Sequence, residues 1–187
     1  MKISIGVSNR HVHLKQEHLN QLFGLNYNLS KLKDLNQPGM FAAKETVTIK
    51  TDKTEISNVR VIGPVRDYTQ VEISKTDSYK LGINPPVRNS GDLKDSETIT
   101  IIGPNGQVIA HDSCIIATRH IHLTKEHRKQ YGLVDKEVVS VKIDGEKGGI
   151  INNVYLKESD NSFFEMHLDT DDANAHLIKN GDIGEIV

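Results

Sequence analysis

Apolar and polar residues alternate along most of this 187-residue chain, in short runs cut by Gly, Pro and Asn. A period of two marks strands with one buried face. The pattern predicts strands over 3–8, 46–50, 56–62, 70–74, 98–102, 114–117, 138–143, 149–156 and 183–187. Helical spacing is rare and brief. Over 15–23 it sets Leu19, Leu22 and Phe23 on one face and stops at Gly24. A helix over 125–131 follows Thr124 as N-cap and stops at Gly132. A third, over 171–178, follows an Asp/Thr cap and ends at Asn180-Gly181. "GPVR", "GINPPVRNSGD" and "GPNGQ" read as turns or loops. The chain is thus expected to be mainly β.

One pattern occurs twice. "RHVHLKQEH", Arg10 to His18, and "RHIHLTKEH", Arg119 to His127, share Arg-His-x-His-Leu-x-x-Glu-His at an offset of 109 positions. In each copy a short apolar strand runs into the motif and a short helix follows. Two similar β-rich units are the natural reading. The C-terminal unit is expected to need the N-terminal strand to complete its sheet.

Composition narrows the class. Apolar residues make up 36% and Trp is absent, a lean core that suits short strands and small barrels. Net charge is −2 with no basic stripe, which disfavours nucleic acid as the main partner. The one cysteine, Cys114, lies in the apolar run "SCIIA" and excludes an intramolecular disulfide. A buried, inert thiol in a reducing cytosol fits that context. The N-terminus lacks a signal-type apolar stretch, and no apolar run approaches the roughly 20 residues that span a bilayer. A cytoplasmic protein without a membrane partner is expected.

The histidines carry the chemistry. Residues i and i+2 of a strand project from one face, so His11 points with His13, and His120 with His122. Paired imidazoles suit a divalent ion such as zinc. The plainer alternative is two surface pairs facing solvent. A catalytic metal needs a third ligand. His167, in "FFEMHLDTDDANAH", and Glu72, in "TQVEIS", are the best candidates; taken singly, each also reads as an ordinary strand residue. Asp169, Asp171 and Asp172 read as helix-capping residues. His18, His111, His127 and His176 read as exposed or supporting. Arg66, just after a Gly-Pro turn, can grip a phosphate or carboxylate with two parallel hydrogen bonds. Arg60 is placed for a second anionic group; both also read as plain surface arginines. No Gly-rich phosphate loop and no G-x-S-x-G elbow occurs.

Six stretches, "VSNRHVHL", "LKDLNQPGMFAAKETVTI", "RVIGPVRDYTQVEIS", "LGINPPVRNSGDL", "ATRHIHLT" and "EMHLDTDDANA", resemble the PduL-type phosphotransacylases, or phosphate propanoyltransferases. The likeness runs in order over nearly the whole chain. It implies two small β-barrels with exchanged strands, capped by short α-helices. Residues 10–117 would form one, residues 1–9 plus 118–187 the other, with the active site between them. It implies two zinc ions per chain, one on His11, His13 and Glu72, the other on His120, His122 and His167. Arg66 would bind phosphate. Val7, Ser8, Asn9, Arg60, Asn174 and, more weakly matched, Lys53 fall where the family contacts coenzyme A. The implied reaction converts a short-chain acyl-CoA (acetyl- or propanoyl-CoA) plus phosphate to acyl phosphate plus CoA, by direct attack of phosphate. A homodimer or higher oligomer is implied. The N-terminal extension that addresses some members to microcompartments is not seen, which favours free cytosol. Two rivals use the same residues: a two-metal phosphoesterase, and a bicupin-like metal-binding protein with Glu17 and Glu126 as ligands.

Overall fold

The computed structural model describes every residue, Met1–Val187. In chain order the elements are β1 (Lys2–Ser8), β2 (His11–His13), α1 (Gln16–Phe23), β3 (Lys31–Asp34), β4 (Phe41–Lys50), β5 (Glu55–Gly63), β6 (Gln70–Glu72), α2 (Lys75–Leu81), β7 (Val87–Arg88) and β8 (Glu97–Ile102). There follow β9 (Gln107–Ala117), β10 (His120–Leu123), α3 (Lys125–Gln130), β11 (Val138–Ile143), β12 (Gly149–Glu158), β13 (Glu165–Asp169), α4 (Thr170–Ala175) and β14 (Ile183–Ile186). The chain divides into two compact units, Arg10–Ala117 and Met1–Asn9 with Thr118–Val187.

Each unit is a closed six-stranded barrel. In the unit of 10–117 the ladders run β2-β5-β4-β8-β9-β6 and return to β2. In the other they run β10-β12-β11-β14-β1-β13 and return to β10. The two circuits match ladder for ladder. β2–β5 and β10–β12 are parallel, as are β6–β9 and β13–β1; the remaining four ladders are antiparallel in both. The difference is in connectivity. The strand that closes the first barrel, β9, comes last in its unit, whereas its counterpart in the second is the chain's first strand, β1. The mainly β class and exchanged strands expected from sequence are therefore present.

Alternation fills both interiors. Val12, Val47, Ile49, Val59, Val61, Val71, Ile99 and Ile101 are buried in one barrel; Ile5, Ile121, Val141, Val154, Met166 and Leu168 are buried in the other. α1 plugs its barrel with Leu19, Leu22 and Phe23. Its last carbonyls are taken by the "GPNG" turn: Asn105 donates from its backbone to Leu22 and from its side chain to Phe23 (3.0 and 2.7 Å). Gly103 permits that approach, since a Cβ there would sit 2.5 Å from the Leu22 carbonyl oxygen.

Several boundaries differ from the sequence reading. β4 starts five residues earlier than the alternation suggests, because Glu45 is buried there. Its carboxylate accepts from Tyr27 (2.9 Å) and from the Ser30 amide (3.1 Å), which offsets the cost of burial. β9 begins at Gln107, its alternation broken by Asp112 at φ 44°. α4 stops at Ala175, because Leu177 turns the chain at φ 56° and returns Ile178 to the core. α2 was not apparent: "KTDSYKL" has no apolar stripe, and a capping box of Ser74 with Asp77 starts it instead.

Candidate metal centres

Two sets of three potential ligands form, one on each barrel: His11, His13 and Glu72; and His120, His122 and His167. Within each set the ligand atoms lie within 4.8 Å of one another. The local cause is the same twice. Val12 and Ile121 point inward and are fully buried, so the histidines on either side point outward together. An antiparallel partner strand then sets the third ligand directly opposite the first histidine: Glu72 faces His11 across β6–β2, and His167 faces His120 across β13–β10.

In the first set the His11 and His13 rings meet edge to face at 5.0 Å, and His11 Nε2 lies 3.5 Å from a Glu72 oxygen. His13 is 2% exposed. Its Nδ1 donates to the Ile62 carbonyl (3.2 Å), leaving the Nε2 lone pair as donor. Burial, then the His11 ring and the Arg66 guanidinium, hold the His13 pKa well below 6.5, so the ring is neutral at pH 7. Gln70 is fully buried and donates to Glu72 (2.5 Å) and to Ser90 (2.9 Å), while accepting from the Gly91 amide (2.7 Å). It fixes the Glu72 carboxylate.

In the second set His120 donates from Nδ1 to the Thr118 carbonyl (2.8 Å), and its Nε2 faces His122 Nε2 at 3.1 Å. The His167 ring lies 5.4 Å from that of His120 and 4.7 Å from that of His122. Its Nε2 is 2.9 Å from the buried carboxylate of Glu165. Imidazoles with closely grouped nitrogens, together with a carboxylate at each set, are a donor set that suits zinc or a related divalent ion. The residues present therefore fit the implied metal.

The motif arginines brace the surroundings. Arg10 pairs with Asp77 through two hydrogen bonds (2.8 and 2.7 Å), and Arg119 with Asp172 likewise (2.8 and 2.7 Å). Asp77 and Asp172 occupy the third position of α2 and α4. Each short helix is thereby tied back to the start of its histidine strand. Asp169 caps α4, accepting from the Asp172 amide (2.9 Å), and is not among the ligands.

Arg66 follows the Gly63–Pro64 turn, which holds a cis peptide. Its backbone is pinned to Leu14 (3.0 Å) and its guanidinium donates to the Tyr68 hydroxyl (3.0 Å). Its charge acts on His13. Arg60 is the Cα partner of His11 on the other side of β2 and donates to the carbonyls of Ala43 and Lys44. Val7 and Ser8 end β1 opposite Leu168 and Asp169, where α4 begins; Asn9 and, on α4, Asn174 are exposed. Lys53 is exposed. It lies in the turn between β4 and β5, and its amine donates to the Tyr79 carbonyl (3.0 Å). Glu17 and Glu126 lie on the exposed faces of α1 and α3, outside both sets, and Glu17 pairs with Lys15 (2.7 Å). Gln70 and Glu165 were missed from sequence. The available signal was that each stands two residues before a third ligand, on the same strand face.

A family model described as phosphate propanoyltransferase matches residues 4–179. The chain belongs to the phosphate propanoyltransferase family. It is 50% identical to the phosphate propanoyltransferase of Thermotoga maritima over 99% of this chain and 89% of that one. It is 44% identical to that of Rhodopseudomonas palustris (99% and 82%) and 48% identical to that of Priestia megaterium (97% and 84%). Family membership makes the chain an acyltransferase acting with phosphate.

Proposed function

We propose that this chain interconverts a short-chain acyl-CoA, acetyl- or propanoyl-CoA, and phosphate with the acyl phosphate and CoA, and that two zinc ions per chain support the reaction. The observation that carries this reading is the pair of matched ligand sets, each with a third ligand opposite the first histidine, on a chain of this family. Bound zinc supplies Lewis acidity and a soft partner for a thiolate.

The chain's own residues do the rest. Arg66, pinned by its backbone and by Tyr68, holds the phosphate and offsets charge that builds on the reacting oxygens. A phosphate oxygen forms its bond to the thioester carbonyl carbon, the carbon–sulfur bond breaks, and CoA departs as thiolate. Holding both substrates makes the step effectively unimolecular. No acyl-enzyme is needed: Cys114 is fully buried, and burial raises its thiol pKa far above the usual range. Glu72, fixed by Gln70, serves as a ligand and not as a base. Val7, Ser8, Asn9, Arg60 and Asn174 contact CoA; Lys53 is the weakest of these assignments. The protein acts in the cytoplasm as a homodimer or higher oligomer. No helix is long and apolar enough to cross a membrane.

The test is CoA release from acetyl-CoA and propanoyl-CoA on adding phosphate, with and without chelator. Activity with both substrates, lost on chelation and in His122→Ala, is expected. Full turnover by metal-free protein overturns the reading. Release of acid and phosphate from acyl phosphate without CoA would instead support the phosphoesterase.

A further inference from the structure

Both ligand sets contain a buried polar side chain opposite the second histidine. Gln70 faces His13 in one; Glu165 faces His122 in the other. The third ligand is a carboxylate where its neighbour is an amide, and an imidazole where its neighbour is a carboxylate. Each set therefore carries one carboxylate, moved by two residues along the strand. Glu165 is 4% exposed and takes no part in the reaction as described above. A buried carboxylate beside three imidazoles is costly unless a cation and hydrogen bonds compensate it.

The ring edges indicate what Glu165 does. β13 lies between β10 and β1 in the barrel. A Cβ on Gly6 of β1 would stand 3.0 Å from His167 Cδ2, 3.1 Å from its Nε2 and 3.2 Å from Glu165 Cδ. The Cδ2–Nε2 edge of His167 is thus the one nearest β1, while its ring lies 5.4 and 4.7 Å from those of His120 and His122 on β10. A carboxylate only accepts, so in the 2.9 Å contact His167 Nε2 donates; in a neutral imidazole that leaves the lone pair on Nδ1.

Resting on the reading that the three histidines bind a metal, we propose that Glu165 is the positioning residue of that set. It holds His167 by Nε2–H, presents Nδ1 to the ion, and supplies the set's negative charge. Gly6 is the residue that leaves room for this pair. Partners of this kind behind a ligating histidine typically contribute about 10–100-fold in metal affinity.

The experiment compares zinc and cobalt(II) binding to the full chain, its Glu165→Gln and Glu165→Ala variants, and Gln70→Ala. It is paired with ¹⁵N NMR of the imidazoles in metal-free protein. The wild type should bind two equivalents and carry the His167 proton on Nε2. In both Glu165 variants one equivalent should weaken about 10–100-fold, with an altered cobalt spectrum, while the other stays within about twofold. Gln70→Ala should weaken the other equivalent instead. Glu165→Gln keeps the side-chain volume, so it decides the matter if Glu165→Ala does not fold. Two equivalents at wild-type affinity in Glu165→Gln, or a wild-type proton on Nδ1, overturns the role of Glu165 alone. Fewer than two equivalents in the wild type overturns the two-zinc reading, and this inference with it.

Discussion

Glu72 and His167 occupy the same place in two barrels: each is the antiparallel partner of the first histidine of its motif, His11 or His120. Exchanging them is therefore a conservative test of the site. Glu72→His should still bind two metals per chain, since the other set shows three imidazoles on the same framework. Glu72→Ala should bind one. Glu17→Ala and Glu126→Ala should bind two, because those carboxylates lie outside both sets. Metal content by mass spectrometry of the purified variants decides; loss of metal in Glu17→Ala and Glu126→Ala but not in Glu72→Ala would restore the bicupin reading.

Much of this was legible in the sequence because it depends on a period of two. The histidine pairs and the inward Val12 and Ile121 follow from alternation alone. The N-terminal strand was expected to complete the C-terminal sheet; its register against β13 and β14, set across most of the chain's length, did not follow. Nor did α2, which is held by a capping box, by Arg10 and by the single buried apolar side chain of Leu81. His167 and Glu72 were each one candidate among several polar strand residues. Only the register shows that they are equivalents, and that Gln70 and Glu165 stand behind them.

Arg66 should govern phosphate and leave the metals alone. A hydrogen bond to a charged group contributes about 1.5–3 kcal/mol, so Arg66→Ala should raise the KM for phosphate roughly ten- to a hundredfold. Arg66→Lys should recover part of this, having the charge without the planar fork. Steady-state kinetics with phosphate varied, on protein shown to retain both metals, is the check. An unchanged phosphate KM would remove Arg66 from the site.

Arg10 and Asp77 should act through α2. Asp77 is 5% exposed and accepts two short hydrogen bonds from Arg10. Arg10→Ala leaves that carboxylate without its guanidinium, though still bonded to the Ser74 amide, and should cost about 1–3 kcal/mol. Denaturant unfolding would show it as a lower midpoint with an unchanged slope. Arg119→Ala should cost less, because Asp172 is 24% exposed.

Gly6→Ala should fold and yet lose its grip on one ion. The added Cβ meets side-chain atoms of His167 and Glu165, which can yield by a few tenths of an ångström but not without turning the ring. Overpacking of this kind costs about 1–3 kcal/mol. A cooperative melting curve in chelator, lowered by roughly 2–12 °C, together with a weakened second zinc equivalent, is the expected pair of results. Wild-type affinity for both equivalents would mean that the ring has slack.

Acid should destabilise the metal-free protein, in part through His18. The ring is half-buried, with its Nδ1 2.9 Å from Thr69 Oγ1. Burial, then the Lys15 cation, lowers its pKa below 6.5, with Glu17 opposing. In the unfolded chain the ring takes up a proton near 6.5, and in the fold only at lower pH. The unfolded state thus binds more protons in that interval, and stability rises with pH through it. The contribution is complete above 6.5 and is lost as pH falls through the folded value. His13 acts in the same direction. Unfolding measured in chelator between pH 7.5 and 5.5 should therefore show falling stability, with a shallower fall in His18→Gln. An equal slope in the variant would show that His18 is protonated as readily in the fold as out of it.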